Sequence, residues 1–270
     1  MNAGPSAAGT RRIAVALDAS AYGQQVLDLA AAVAALLAAE LEGVFVEDTQ
    51  LIHSAGLPFL RELRRTTLDE SALDVSRLQR ELRANARRVR ETLEQSARTR
   101  GLACSFRVWR GDLGAEILAA GVDAELFALG RIGRFAPLGR HSRGVLARQR
   151  GGLTIGVLFN GSESAERALA TAAELAYDNR AAICVILQFQ AGQDVVALRA
   201  LATAVLSGIE TSIQEFSPAS SESGNLARAI PALGIDLLIV DSTNPLLAAP
   251  ILWETLESID CPILIQRAAS

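Results

Sequence analysis

Residues 12–48 read RIAVALDASAYGQQVLDLAAAVAALLAAELEGVFVED. The stretch holds a short apolar run, a polar turn with Ser20, a long alanine-rich segment and a second apolar run that ends near Asp48. Continuous apolar runs of this length suit buried parallel strands, and a serine at the end of a turn suits a helix N-cap. The stretch therefore predicts a strand, a helix and a second strand with a right-handed crossover.

The same pattern returns later in the chain, at residues 153–189, which read LTIGVLFNGSESAERALATAAELAYDNRAAICVILQF. At an offset of 142 positions, Ile13 aligns with Ile155 and Ser20 with Ser162. At an offset of 111 positions, the runs AELFALG and IDLLIVD also align. A repeat of this length predicts two similar α/β domains, each an open parallel sheet of Rossmann-like type with helices on both faces.

The expected domain boundaries follow from these matches. Residues 1–10 are expected to form a disordered N-terminus, residues 11–150 a first domain and residues 151–270 a second. The second copy ends in a fifth apolar run, CPILIQR (261–267), that has no partner in the first copy. The run at 153–159 could close the first sheet or open the second, and we assign it to the second because the cap pattern NGSES follows it directly.

A long insert separates the matched blocks of the first copy. Within it, apolar residues recur every three or four positions and predict an amphipathic helix of about six turns, with arginines on its wet face and pairs such as Glu81 with Arg88. Residues 61–100 hold 11 arginines and seven acids, which favours a solvated face over a nucleic-acid surface. The preceding residues 51–60 are expected to cover a sheet edge or a subunit interface. The apolar positions of the helix are Val75, Leu78, Leu82, Ala86, Val89, Leu93 and Ala97.

The charge of the chain is uneven. All 26 basic residues are arginine, which excludes a Schiff-base lysine, a P-loop lysine and a lysine general base. Residues 1–150 carry 21 Arg against 17 acids, a net of +4, whereas residues 151–270 carry 5 Arg against 13 acids, a net of -8. This asymmetry indicates different roles for the two halves.

Several chemistries are improbable from the remaining residues. Cys104, Cys184 and Cys261 each lie in an apolar run and are predicted to be buried, reduced thiols. His53 and His141 are far apart, which disfavours a zinc site or a histidine triad. The N-terminus lacks the apolar core of a signal peptide, and no segment suggests a membrane span. A cytoplasmic location is therefore expected.

Ligand sites of open parallel sheets lie beyond the carboxyl ends of the strands, where the strand order reverses. In the first half these ends carry Asp18, the segment 46–48 and the segment GRIGRFAPLGRHSRG (130–144). Glycines allow backbone N–H groups to approach an anion closely, and arginines supply the positive charge. The arginines of this segment are Arg131, Arg134, Arg140 and Arg143.

These features together resemble the universal stress protein family in its tandem, two-domain form. The resemblance covers about residues 11–267 and implies an adenine-nucleotide alpha-hydrolase-like fold. It also implies that ATP or another adenine nucleotide, accompanied by Mg²⁺, binds the first domain. In the family an aspartate after the first strand and backbone near the second strand hold the adenine, which here implies Asp18 and Val46. A loop of the form G-x2-G-x9-G-[ST] wraps the ribose and phosphates, and its first two glycines correspond to Gly130 and Gly133.

The rest of that loop departs from the family pattern, and two alignments remain open. In one, Arg143 stands at the third glycine and Gly144 at the hydroxyl residue. In the other, the loop is four residues shorter, Gly139 is the third glycine, Arg140 replaces the hydroxyl residue and Ser142 matches a second hydroxyl. Under the resemblance, the binding residues are Asp18, Val46, Gly130, Arg131, Gly133, Arg134, Gly139, Arg140 and Ser142.

The second half departs further from the family. Asn160 stands at the position of Asp18, and Asp241 and Asn244 stand at those of Gly130 and Gly133. A carboxylate facing a polyphosphate is repulsive, so this half is expected to bind no nucleotide.

Three hypotheses of function remain open. The first is a nucleotide-binding stress or regulatory protein with little or no catalysis. The second is a nucleotide-free scaffold that acts through protein contacts, with a partner surface at residues 51–100. The third is an enzyme of related architecture, which is disfavoured because the sequence has no lysine and no clustered histidines. A homodimer fits any of them.

Overall fold

The structure is a computed structural model that describes residues 11–18, 21–48, 61–63, 70–72, 75–111, 117–121, 123–130, 153–189, 192–216, 230, 232–247, 259 and 261–267. In the first half, the elements are β1 (Arg12–Leu17), α1 (Ala21–Leu36), β2 (Glu40–Asp48), β3 (Arg61–Leu63), β4 (Glu70–Ala72), α2 (Val75–Arg100), β5 (Cys104–Gly111), a 3₁₀ helix (Ile117–Gly121) and β6 (Leu126–Leu129). In the second half, they are β7 (Thr154–Phe159), α3 (Glu163–Asn179), β8 (Ala182–Gln188), α4 (Val195–Val205), β9 (Thr211–Phe216), β10 (Leu237–Asp241), a 3₁₀ helix (Pro245–Leu247) and β11 (Ile263–Gln266).

Both halves contribute to one nine-stranded sheet with the order β5-β2-β1-β6-β11-β10-β7-β8-β9. Neighbouring strands within each half run parallel. The expected α/β class with open parallel sheets is therefore confirmed. The two sheets meet edge to edge through β6 and β11, which run antiparallel. The small hairpin of β3 and β4 forms a separate two-stranded sheet.

The sequence repeat is reproduced in the strand register. Ile13 of β1 pairs with Leu41 of β2 and with Leu126 of β6. Its counterpart Ile155 of β7 pairs with Ile183 of β8 and with Leu237 of β10. These pairs keep the offsets of 142 and 111 positions found in the sequence. Thr154–Phe159 thus occupies in the second half the place that Arg12–Leu17 occupies in the first.

Strand β11 explains why the second copy has one apolar run more than the first. It lies beside β10 in parallel and beside β6 in antiparallel orientation, with Leu264 opposite both Ile239 and Ala128. All four of its residues are buried. One strand therefore covers the edge of both parallel sets, and the fully buried β6 needs no fifth strand from its own half.

Apolar residues of alternate strand positions build a core on each face of the sheet. One core joins Ile13, Val15 and Leu17 to side chains from the four described α-helices. On this face α1 contacts α2 and α3, and α3 contacts α4. The other core joins Ala14 and Ala16 to residues outside these four helices, including Leu118, Ile230 and Leu247.

Helix α2 confirms the predicted amphipathic segment and corrects one of its pairs. Ala86, Val89, Leu93 and Ala97 are buried against α1 and the sheet. Glu81, however, bonds Arg77 at 2.9 Å, four residues before it, and Arg88 donates to Asn85. The predicted Glu81–Arg88 pair is wrong, because positions four apart on a helix are neighbours and positions seven apart lie two turns away. The predicted segment 51–60 lies outside the described residues.

Two further features differ from the sequence-based expectation. Cys104 is exposed at the start of β5, whereas Cys184 is buried and Cys261 is half-buried, so the prediction of a buried thiol at Cys104 is wrong. The physical reason is that β5 ends the sheet and has one neighbouring strand. Of the two predicted serine caps, Ser162 accepts a bond from the Ala165 amide at 3.1 Å, and Ser20 lies outside the described residues.

Candidate functional site

Three of the predicted binding residues lie at the carboxyl ends of neighbouring parallel strands. Leu17 of β1 is level with Phe45 of β2, so Asp18 follows β1 beside Val46. Val15 is level with Ala128 of β6, and Gly130 follows β6 directly. At this point the chain leaves β1 for β2 on one side and reaches β6 on the other, which is the crevice where open sheets bind ligands.

Asp18 folds back over the first turn of α1. A Cβ atom at Gly23 would lie 2.7 Å from the Asp18 carbonyl oxygen and 2.8 Å from its Oδ1, so a larger residue at this position would displace the carboxyl group. Gly23 therefore allows the close approach between Asp18 and the first turn of α1. The carboxylate also lies close to a helix N-terminus, where the helix dipole favours a negative charge.

Gly130 is buried and lies against α1. A Cβ atom at this position would lie 2.2 Å from Cγ2 of Val26, so glycine is needed here for helix-to-strand packing. The close approach brings the amino-terminal half of α1 down onto the end of β6. Because residue 130 is a glycine, the backbone at the end of β6 carries no side chain at this position.

Val46 directs its side chain into the apolar core on the face opposite α1. It is 9% exposed. A contribution from Val46 to a ligand site is therefore restricted to its backbone. The remaining predicted binding residues lie outside the described part of the chain, namely Arg131, Gly133, Arg134, Gly139, Arg140 and Ser142.

A pocket of about 160 Å³ opens beside Asp18 on the helical face. Its lining combines apolar side chains with a carboxylate, an amide, a guanidinium and a hydroxyl group. Arg88 and Thr92, one turn apart on α2, were not predicted as site residues, and their spacing of four positions is the signal that places them together. The lining residues are Leu17, Asp18, Gly23, Gln24, Leu27, Arg88, Val89 and Thr92.

An ion pair also lies at this end of the sheet. Arg110 Nε of β5 is 2.7 Å from Glu47 Oε2 of β2, and the Glu47 side chain is 7% exposed. The hydrogen bond that Arg110 donates to the Glu47 carboxylate raises the pKa of the Arg110 guanidinium above its usual value. The pair was not predicted, because the two residues lie 63 positions apart in the sequence.

At the corresponding end of the second half, polar side chains bond to one another. Asp241 ends β10 and is fully buried. Its Oδ1 accepts hydrogen bonds from the Thr243 amide at 3.0 Å and from the Thr243 hydroxyl at 2.5 Å. Its Oδ2 accepts a longer bond of 3.5 Å from Asn244 Nδ2. The Asp241 carboxylate is therefore used within the protein.

The cluster extends across the strand ends. Asn244 Nδ2 donates to Oε1 of Gln188 at 2.7 Å. Gln188 ends β8 and is the counterpart of Val46, while Asn244 is the counterpart of Gly133. Asn160, the counterpart of Asp18, accepts a bond from the Ser162 amide at 2.9 Å through Oδ1. All four equivalent positions in the second half thus carry hydrogen-bonded side chains.

The described residues at the first crevice carry polar and apolar groups of the kinds that bind small molecules. Within the described ranges, no group of three or more His, Cys, Asp or Glu side chains is arranged to hold a metal ion. A carboxylate beside polar and apolar walls suits a polar ring or sugar.

Among the helices of the described ranges, none is long and apolar enough to cross a membrane.

The solved structures that are similar to this chain include the following three universal stress proteins. One from Archaeoglobus fulgidus DSM 4304 matches at 14% identity over 96% of this chain and 97% of its own, with a TM-score of 0.59. One from Burkholderia pseudomallei matches at 23% identity over 42% of this chain and 93% of its own, with a TM-score of 0.30. One solved in complex with cAMP matches at 15% identity over 44% of this chain and 99% of its own, with a TM-score of 0.34.

No family model matches the chain, and no curated protein matches its sequence. The Archaeoglobus structure spans almost the whole of both chains and is the only one of these three with a TM-score above 0.5. This likeness covers both halves of the nine-stranded sheet. The chain therefore has the universal stress protein fold.

Proposed function

We propose that this chain binds ATP or a related adenine nucleotide in its first half, binds none in its second half, and serves as a stress-response or regulatory protein with little or no catalysis. One observation carries the proposal. Asp18, Val46 and Gly130 lie at neighbouring strand ends of the first half, where Val46 and Gly130 carry no polar side chain. Their counterparts Asn160, Gln188 and Asp241 all carry polar side chains that are hydrogen-bonded to other residues of the second half.

The geometry supports distinct roles for these residues. The Asp18 carboxylate would accept hydrogen bonds from the base, and the Val46 backbone would add a main-chain contact, because the Val46 side chain faces the opposite core. Gly130 would start the segment that approaches the phosphates, where Arg131, Arg134 and Arg140 supply charge in place of lysine. Mg²⁺ would enter with the nucleotide, bound mainly by phosphate oxygens.

A thermal-shift titration with ATP and Mg²⁺ tests the proposal. If the dissociation constant is about 10 μM, 1 mM ATP should stabilise the chain by about 2.7 kcal/mol and raise its melting temperature by about 5 °C. Asp18→Ala should remove most of this shift. Asn160→Ala, at the equivalent position of the second half, is the matched control and should keep it.

A second candidate function is a nucleotide-free scaffold that works through protein contacts. The contact between Gly130 and Val26 favours it, because packing alone requires glycine at this position. The two candidates differ in the same titration. An unchanged melting temperature in millimolar ATP for the unmodified chain would contradict the first proposal and favour the scaffold.

A further inference from the structure

Helix α4 carries exposed apolar side chains in addition to those that it packs into the hydrophobic core. Its sequence is VVALRALATAV, and its buried residues are Leu198 and Ala202. Three of its larger apolar side chains are exposed, with Val196 at 76%, Leu201 at 38% and Val205 at 37%. The exposed alanines Ala197, Ala200 and Ala204 lie between them on the same helix.

The equivalent helix of the first half has the opposite character. Helix α2 also crosses between the second strand and the edge strand of its half, yet it carries 11 charged residues among its 26. Helix α4 carries a single charged residue, Arg199. A surface helix whose exposed side is mostly apolar is typical of a helix that another element covers.

The sequence that directly follows β9 is a poor match for an apolar surface. Residues 217–229, which follow β9, read SPASSESGNLARA and are mostly polar. They lead to Ile230, which belongs to the core on the other face of the sheet. Cover from a separate molecule therefore fits the apolar side of α4 better.

The charge on this surface favours a second copy of the same chain. Arg199 pairs with Glu215 of β9, so the side chains that α4 and β9 contribute have no net charge. In a twofold dimer each patch meets its own copy, and any net charge would repel itself. The second half as a whole has a net charge of -8, so α4 and β9 are themselves less acidic than the half to which they belong.

The area required indicates that β9 takes part as well. A helix of 11 residues is about 16 Å long, and one such face is smaller than the roughly 800 Å² per partner of a stable interface. Strand β9 ends the sheet at the same end and contains no proline, lysine or arginine. The other edge strand, β5, carries Arg107 and Arg110, the type of charge that protects an edge from pairing.

We propose that the exposed side of α4 together with the outer edge of β9, here named the α4–β9 end, is the surface through which two copies of this chain associate about a twofold axis. The association does not depend on nucleotide binding. The two halves of the chain already join in a similar way, through the antiparallel pair β6 and β11 and the contact of α1 with α3.

Sedimentation velocity of the full chain at protein concentrations of about 1–200 μM tests this proposal. Dissociation constants within this range distinguish weak dimers from stable ones. We expect a species of twice the 28.5 kDa chain mass. Leu201→Glu should raise the dimer dissociation constant at least about tenfold, because the charge would face an apolar surface and its own copy. Leu36→Glu on α1 is the matched control, since Leu36 is 37% exposed and Leu201 is 38% exposed.

Mixing two variants identifies the partner as a second copy. Leu201→Glu and Leu201→Arg should each be monomeric at concentrations where the unmodified chain is dimeric, and an equimolar mixture should recover the dimer. Ala200→Glu gives a second variant in case Leu201→Glu lowers the melting temperature. A monomer at every concentration, or a dimer that Leu201→Glu and Ala200→Glu both leave intact, would overturn the proposal.

Discussion

Asn244 Nδ2 donates a 2.7 Å hydrogen bond to Gln188 Oε1 and thereby joins the ends of β10 and β8 across β7. In the first half the equivalent positions are Gly133 and Val46, which have no side chains able to form this bond. The repeated halves share a strand register but differ at the crevice. This difference is the reason why we propose ligand binding in the first half and not in the second.

The Asn244–Gln188 bond should contribute to stability. Asn244 is 3% exposed, so Asn244→Ala removes a buried donor and should lower the free energy of unfolding by about 1–3 kcal/mol. Gln188→Ala in the same background should add little, because the bond is already lost. Chemical denaturation of the two single variants and the double variant measures this coupling.

An asparagine elsewhere in the chain provides the control for that experiment. Asn179 Nδ2 donates to the Leu175 carbonyl at 2.8 Å, but the residue is exposed. Asn179→Ala should therefore change stability by about 0.5 kcal/mol or less. Equal effects of Asn179→Ala and Asn244→Ala would show that the crevice bond has no special weight.

The close approach of Gly130 to Val26 predicts a specific coupling. Gly130→Ala should destabilise by about 1–3 kcal/mol, because the added methyl group would lie 2.2 Å from Val26 Cγ2. Val26→Ala should lose a similar amount through a cavity. The double variant should lose less than the sum, as measured by denaturation. Additive losses would mean that the two residues do not share this space.

The shared strand β11 predicts that the first half depends on the second. A fragment of residues 11–152 would lack β11, leaving the buried, apolar β6 with a bare edge. It should aggregate or unfold without cooperativity, and co-expression with residues 153–270 should restore a soluble complex. Heat denaturation followed by circular dichroism checks this, and a cooperative transition of the isolated fragment would argue against the dependence.

The ion pair of Glu42 and Arg107 predicts a cost for breaking one partner. Arg107 Nε lies 2.8 Å from Glu42 Oε1, and the Glu42 side chain is 10% exposed. Arg107→Leu should destabilise by about 2 kcal/mol, since it leaves a buried carboxylate without this cation, and Glu42→Leu in addition should recover most of the loss. Arg90→Leu breaks the exposed pair with Glu94 and should cost about 0.5 kcal/mol or less.

The central strands and helices could be predicted because they carry strong periodic signals. Strands β1, β7, β8, β10 and β11 consist mainly of apolar runs, and β2 contains the shorter apolar run 44–46, as expected for strands covered on both faces. The edge strands β5 and β9 were not predicted. Strand β5 contains Arg107 and Arg110, and β9 contains Ser212, Gln214 and Glu215, because one neighbour and partial burial permit polar residues at an edge.

The site could be predicted only where it follows the sheet. Asp18 and Gly130 were found because strand ends in a parallel sheet meet at one edge. Arg88 was not found, because its place beside Asp18 depends on how α2 packs against α1, which the periodicity of α2 does not define. The hydrogen bond of Gln188 was not predicted for a similar reason, since its partner Asn244 lies 56 positions away in the sequence.

Native mass spectrometry with ATP and Mg²⁺ tests the central claim most directly, because it counts nucleotides bound to each chain. We expect one nucleotide per chain for the unmodified protein and for Asn160→Ala, and none for Asp18→Ala. Two nucleotides per chain, or one that Asp18→Ala retains and Asn160→Ala loses, would contradict the assignment of binding to the first half. No bound nucleotide at millimolar ATP would contradict nucleotide binding itself.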